Sequence, residues 1–390
     1  RREKNMTNRL ILAILIIAVG ANAAAQAPNS MDAAAKLLEE LSNAHGPSGF
    51  EGPVRTIIRR EMEPLADRIE IDGLGSVIGI IEHSQDAPNI MIAAHLDEVG
   101  MMVKRITDDG YLKYQVLGGI LPQALLNQRF RVLTSKGYVI AISGLKTIHV
   151  IPRGLERSLI PEHDEIFLDV GASSREDAME RLGVRPGDPI APDTEFEILN
   201  GGQLYVGKAW DDRVGLAVMV EVMKRLKNKR PPANVYFVAT TQEEIGLRGA
   251  HTSSYLVEPD IGISLEAGVA ADYPGISLDE AQEVLGGGPG MFLFDASMIP
   301  NDNLKNLVID LAARNKISLQ FNVQPGYGED GAEMQKAFAG TPSVNLTVPT
   351  RYLHTHYGVI NRKDFDGLVE LLTAAIYELT PAKVKEVQRF

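Results

Sequence analysis

The sequence has no cysteine in 390 residues. That excludes disulfides, a cysteine nucleophile and thiolate-bound zinc, so any metal site must be built from His, Asp and Glu. Positive charge is also scarce: 39 Lys and Arg stand against 51 Asp and Glu, a formal net charge of −12. This balance argues against nucleic acid or an anionic membrane surface as the main partner. There is no internal repeat and no low-complexity tract. What is present is ordinary for a globular chain, with 45% hydrophobic and 23% charged residues, and the length suggests about two domains.

The N-terminus stands apart from the rest. Lys4 and Arg9 precede an apolar run over residues 10–19, and Gly20-Ala21-Asn22-Ala23-Ala24-Ala25-Gln26-Ala27 follows. A basic start, a short apolar stretch and Ala-x-Ala sites predict a secretory signal peptide over residues 1–25. The apolar run is short for a membrane span of about 20 residues. The expectation is an exported, periplasmic protein with no stable membrane association once the segment is cleaved. The alternative is a protein anchored by the uncleaved segment.

Beyond it, periodicity predicts helices over 31–44 and 54–62, then short strands over 77–81 and 89–94. Residues 101–192 change character. Short alternating runs are separated by turns such as Asp109-Gly110 and Lys136-Gly137, which predicts a small β-rich domain. From residue 201 helices again alternate with apolar strands: a helix to residue 226, strands at 235–240, 261–265 and 343–348, and a closing helix over 365–378. This pattern predicts an α/β fold, a mostly parallel sheet sandwiched by helices. Its catalytic part is discontinuous, residues 31–100 and 193–390, with the small β-rich domain inserted at 101–192.

Ligand-type side chains stand where these strands end. His95 follows 89–94, Glu243 and Glu244 follow 235–240, Glu266 follows 261–265, and His354 comes shortly after 343–348. Sites in open α/β sheets form beyond the carboxyl ends of the strands, so these residues can converge. Asp211, at a helix entrance, completes the set. Each has a plainer reading: Asp211 as an N-cap, Asp97 as a turn former, Glu266 in a solvated loop, His354 and His356 at the surface. Two His and three carboxylates suit zinc or cobalt, and manganese less well.

Four motifs carry a resemblance. They are Ala94-His95-Leu96-Asp97-Glu98-Val99-Gly100, Val206-Gly207-Lys208-Ala209-Trp210-Asp211-Asp212-Arg213, Gln242-Glu243-Glu244-Ile245-Gly246-Leu247-Arg248-Gly249-Ala250 and Val348-Pro349-Thr350-Arg351-Tyr352-Leu353-His354. With them the chain resembles the tetrahedral (TET) aminopeptidases, a family that includes glutamyl aminopeptidases and members labelled cellulases or endoglucanases. The resemblance implies a zinc-peptidase-like catalytic domain holding two divalent metal ions, zinc or cobalt. His95, Asp211 and Glu266 would hold one ion and Asp211, Glu244 and His354 the other. Glu243 would be the general base and then the general acid for a hydroxide bridging the metals, and Asp97 would orient His95. The activity implied is removal of N-terminal residues from peptide substrates. The inserted domain would mediate dimerisation, with dimers building a homo-oligomeric dodecamer.

Two departures from the family pattern stand out: Glu266 where the family usually has Asp, and Tyr327-Gly328-Glu329-Asp330-Gly331 in place of a Gly-Gly-Thr-Asp-Ala segment. The alternative functions are another metal-dependent amidohydrolase or deacylase on the same scaffold, and a non-catalytic peptide-binding assembly protein.

Overall fold

The computed structural model describes residues 31–154 and 160–389. The segment read as a signal peptide, residues 1–25, lies outside the described residues. The centre of the molecule is four parallel strands side by side: Asn234–Thr240, Asn89–His95, Ile261–Val269 and Ser343–Arg351. Their residues are buried almost without interruption, which is why they read as apolar runs rather than alternating ones. Helix Trp210–Leu226 lies against one face and is buried nearly all round. Helices Ala33–Asn43 and Arg362–Glu378 cover it, so Leu38, Leu41, Val218, Phe237, Leu346 and Leu372 share one core. The opposite face carries helices Arg248–Val257 and Gly331–Lys336, with Ile78, Met91, Val238, Val257 and Met334 between.

The sheet as a whole is mixed, so the mostly parallel reading holds for its centre and not for its flanks. Strands Arg68–Ile71 and Val77–Ile81 run antiparallel on one side, and Gly358–Asn361, Leu204–Gly207 and Glu197–Ile198 on the other. Short connections, residues 72–76, 199–203 and 352–357, close three of these antiparallel pairs. Parallel neighbours need a crossover of a dozen or more residues, whereas short turns close antiparallel pairs. Asp72 builds such a turn by accepting the amides of Leu74, Gly75 and Ser76. Strands Gly290–Asp295, Gly358–Asn361 and Leu204–Gly207 carry no assignment in the sequence reading; they are short and border glycines.

Six strands close into a separate barrel in the order Gly100–Ile106, Leu112–Leu117, Phe167–Asp169, Gly137–Gly144, Arg129–Thr134, Pro189–Pro192. It has its own core of Met101, Val103, Leu112, Phe130, Val132, Leu168 and Ile190. The barrel leaves the sheet five residues after His95 and returns before Glu197–Ile198, so its mouth sits against the carboxyl end of the parallel strands.

The turn after strand Asn234–Thr240 is braced by helix Arg248–Val257. The Gly249 amide donates to the Thr241 carbonyl at 2.8 Å, and a β-carbon on Gly249 would stand 2.4 Å from the Thr241 nitrogen. That neighbour is backbone and cannot swing away. Gly249→Ala is therefore expected to destabilise the fold by about 1–3 kcal/mol and to displace the turn that carries Glu243 and Glu244. Denaturant unfolding with metal analysis of the purified variant checks both effects.

Candidate metal centre

Register brings the first residues together. His95 pairs with Thr240 across the parallel strands, so the turn 241–244 begins beside the imidazole. Ser264 pairs with Ala93, which sets Glu266, two residues on, level with His95. Glu266 is thus inside strand Ile261–Val269, opposite Thr347, not beyond its end or in a solvated loop. The strand continues because Ser343–Arg351 keeps pairing with it as far as Thr350.

Asp97 ties the corner. Its carboxylate accepts the Ser48 hydroxyl at 2.6 Å and the amides of Glu243 at 2.9 Å and Glu244 at 3.2 Å. Its backbone carbonyl lies 3.0 Å from His95 Nδ1, with the carboxylate at 3.5 Å. Orientation of the imidazole therefore falls mainly to the carbonyl. A proton on Nδ1 directed there leaves Nε2 free as a ligand atom.

Asp211 sits in the first turn of helix Trp210–Leu226 with non-helical φ −81° and ψ 102°, and it caps nothing. One of its oxygens, Oδ1, is 2.9 Å from His95 Nε2, and the other, Oδ2, is 3.3 Å from His354 Nε2. Glu266 Oε2 is 3.8 Å and Glu243 Oε2 3.9 Å from His95 Nε2. Glu244 Oε2 is 3.6 Å from His354 Nε2. His95, Asp211 and Glu244 each offer a ligand atom within 4.8 Å of the others. All five residues read as ligands, together with Glu243, thus meet in one place. His354 arrives on a tight loop at φ 57°, and its Nδ1 lies 2.7 Å from the Gly119 carbonyl of the barrel. His356 does not join them: its Nε2 takes the Arg129 carbonyl at 3.1 Å and its ring packs on Phe130.

The electrostatics of this group point to missing positive charge. Burial, then nearby carboxylates, push Glu243 and Glu266 well above the usual carboxylate range, while His95 pulls the other way. Burial raises Glu244 to about 7. Burial opposes charge on His354 as well, but the Glu244 and Asp211 carboxylates prevail and raise it to about 9. His95 is likewise lifted well above the imidazole range, against its burial, by Asp211 and Asp97. Glu244 Oε1 and Glu266 Oε1 are buried without a hydrogen-bond partner. A carboxylate oxygen in that position needs a proton or a cation, and a set of imidazole and carboxylate donors suits a divalent ion.

Sequence reasoning passed over the layer beneath. Asp212 is fully buried; it accepts the Gly215 amide at 3.0 Å and lies 3.3 Å from the His95 amide. Tyr327 donates its hydroxyl to the Ala267 carbonyl at 2.9 Å and stands 3.5 Å from Asp211 Oδ2. Glu98 takes Lys208 Nζ at 2.7 Å on both oxygens, with Arg213 at 3.5 Å and the Gly46 amide at 2.9 Å. The signal was in the motifs already quoted, where Glu98 follows Asp97, and Lys208 and Arg213 flank Asp211.

Comparison with known proteins agrees with this geometry. The family model of the M42 glutamyl aminopeptidases matches residues 75–371. The lysyl aminopeptidase of Pyrococcus furiosus is 34% identical over 89% of this chain and 97% of its own length. The crystal structure of a TET aminopeptidase from a marine sediment archaeon, a thaumarchaeote, superposes with a TM-score of 0.88 at 42% identity, covering 91% of this chain and 99% of that one. The TET1 peptidase of Pyrococcus horikoshii, described as assembling into a tetrahedron or a large octahedral shell, gives 0.79 at 29% identity over 89% and 100%.

A raised pKa on a ligand is a proton the cation must displace. His354, at about 9, is protonated in the metal-free protein at neutral pH, and Glu244, at about 7, is partly so. Both folded-state values exceed the ordinary ones. Their contribution to the metal-free fold is therefore complete below the unfolded values and is lost as pH rises through about 7 for Glu244 and about 9 for His354. Metal uptake at pH 7 is expected to release protons, and affinity to climb with pH up to about 9. Calorimetry in buffers of different ionisation heat measures the release; none would show that the cation enters elsewhere.

Proposed function

Since the chain belongs to the M42 glutamyl aminopeptidase family and is a metal-dependent aminopeptidase, we propose that it removes N-terminal residues from peptides with two divalent cations, zinc or cobalt, held by the side chains described above. His95, Asp211 and Glu266 hold one, and Asp211, Glu244 and His354 the other. The observation that carries this division is Asp211, whose two oxygens face different histidines. When bound, such a pair of cations lowers the pKa of water and polarises the substrate carbonyl.

The remaining steps fall to this chain's own groups. Glu243 borders the ligands, and burial gives it a high proton affinity. It is thus suited to accept a proton from water as the carbonyl is attacked and to hand it to the leaving amine. Asp97 keeps that corner still by holding the Glu243 and Glu244 amides. Tyr327, beside Asp211 and hydrogen-bonded to the Ala267 carbonyl, borders the space where the substrate's first residue would lie. The longer Glu266, in place of the family's usual Asp, reaches the His95 side from within its strand and keeps the donor set complete.

The assembly expected is a homo-oligomer, with dimers formed through the barrel and built into a dodecamer. Support comes from the barrel strand Gly137–Gly144, where Ile140 and Ile142 are exposed in alternation, a pattern that suits burial against another copy. The basic and apolar start of the chain supports export to the periplasm after cleavage of residues 1–25.

Glu243→Gln is expected to lower turnover of an aminoacyl-p-nitroanilide by about 10²–10⁴-fold while bound metal is unchanged; retained turnover would contradict its role as base. N-terminal sequencing of the protein recovered from a periplasmic fraction should begin near residue 26. An intact N-terminus in a membrane fraction would favour the anchored form.

A further inference from the structure

The cleft immediately over the metal-centre residues is narrow, bounded by Val99, Trp210, Asp211, Glu244 and His354. A far larger groove, of about 840 Å³, opens on the barrel side. That volume falls in the range of about 300–1,000 Å³ usual for small-ligand sites. The two meet at Gly118–Gly119. Both glycines line the groove. A β-carbon on Gly118 would lie 2.8 Å from Val99 and 3.0 Å from Glu244 Oε2, and one on Gly119 would lie 3.5 Å from His354 Nδ1. The groove therefore begins where the catalytic side chains end.

Its walls are basic in a chain of net charge −12. Lys104, Arg105 and Lys113 line it, against a single acid, Asp164. The Lys113 ammonium is held by neutral groups, donating to the carbonyls of Asp164 at 2.6 Å and Ile166 at 3.3 Å. Among the described residues, no ion pair involves Lys104 or Arg105. Both are exposed, although they are neighbours on one strand and would ordinarily point to opposite faces. The strand bulges between Val103 and Arg105. Met101, Val103 and Ile106 point into the barrel, and the extra residue turns two consecutive cations outward.

We propose that this groove binds the C-terminal carboxylate of a short peptide whose amino end lies at the metal centre, with Lys104 and Arg105 as its recognition residues. The inference rests on the aminopeptidase reading and extends it to a substrate class: short peptides with a free C-terminus. A peptide enters with its positive end toward the carboxylates of the centre and its negative end along the basic wall, so both termini are matched in charge.

The test compares four substrates sharing one N-terminal residue: a tetrapeptide with a free C-terminus, its C-terminal amide, the amide carrying glutamate at the third position, and the aminoacyl-p-nitroanilide, which carries no carboxylate and is too short to reach Lys104 and Arg105. In the native enzyme amidation should raise KM about tenfold, as expected for loss of two partly exposed charge contacts. In the Lys104→Ala/Arg105→Ala double variant that difference should vanish while p-nitroanilide turnover is unchanged. In Lys104→Glu/Arg105→Glu the amide should become the better substrate. Equal KM for acid and amide in the native enzyme overturns the proposal, as does a variant that loses p-nitroanilide turnover along with the peptides. A low KM recovered by the glutamate-bearing amide overturns the terminal carboxylate in favour of a side-chain one. Absence of p-nitroanilide turnover in the native enzyme would instead overturn the aminopeptidase reading beneath it.

Discussion

Four carboxylates, Asp211, Glu243, Glu244 and Glu266, share one buried pocket with two imidazoles, and their mutual repulsion is the constraint the rest of the structure answers to. In water such groups are kept apart by solvation; here Asp211, Glu243 and Glu266 are buried with His95, while the His354 side chain stays 36% exposed. Two imidazoles cannot neutralise four acids. The surplus charge is relieved by protons, which is why Glu243, Glu244 and Glu266 hold theirs more tightly than usual, or by cations, which the same oxygens can coordinate. The centre is thus poised between two states of charge compensation. Cations on the other oxygens would leave Glu243 free to exchange a proton, the role proposed for it above.

Holding like charges this close requires rigid backbone on every side, and a second set of buried polar groups supplies it. Glu98 joins Lys208, Arg213 and the Gly46 amide, while Arg213 reaches the Leu41 carbonyl at 2.8 Å and Lys208 the Ala44 carbonyl at 2.7 Å. Burial lowers Lys208 to about 8, so the pair depends on Glu98 to stay charged. Loss of one member of such a buried cluster typically costs about 3–5 kcal/mol, because the others are left unpaired. The cluster links the end of helix Ala33–Asn43, the strand end at His95 and the entrance of helix Trp210–Leu226. Asp97 performs the same service one residue earlier, joining Ser48 to the Glu243–Glu244 corner. Adjacent acids therefore have opposite partners: Asp97 gathers neutral donors at the centre, and Glu98 gathers cations behind it.

Much of this was legible in the sequence because parallel strands impose a common direction. Each apolar run ending in His, Asp or Glu delivers its polar residue to the same edge of the sheet, so residues 95, 243, 244 and 354 could be grouped without knowing their distances. The features that escaped depend on pairing partners that periodicity does not encode. Glu266 lies within its strand because Ser343–Arg351 extends beside it, and no local signal announces the length of a partner. Asp211 looks like a helix cap, yet its backbone departs from helical angles so that the side chain faces His95 and His354. The antiparallel flanks of the sheet are built from strands only two to five residues long, and two of their pairings join segments far apart in sequence. Asp97 does meet the imidazole, through its carbonyl; that its carboxylate also holds the amides of Glu243 and Glu244 has no local signal.

The relation between barrel and sheet is the least visible in sequence and the most informative in space. An inserted domain could be an appendage used only for assembly. Here the Gly119 carbonyl of the barrel receives His354 Nδ1, which directs Nε2 toward Asp211 and Glu244, so an imidazole on one unit is oriented by the backbone of the other. Gly118, at φ 87°, lies so near Glu244 that a side chain would press on the carboxylate. Glycine there answers both the left-handed backbone and the close approach. A shift of this turn relative to the sheet would change the tautomer and aim of His354 and, by the same movement, the junction between the narrow cleft and the basic groove. Access and chemistry are coupled through two residues, and any contact made by the barrel with another copy would act on both through that turn.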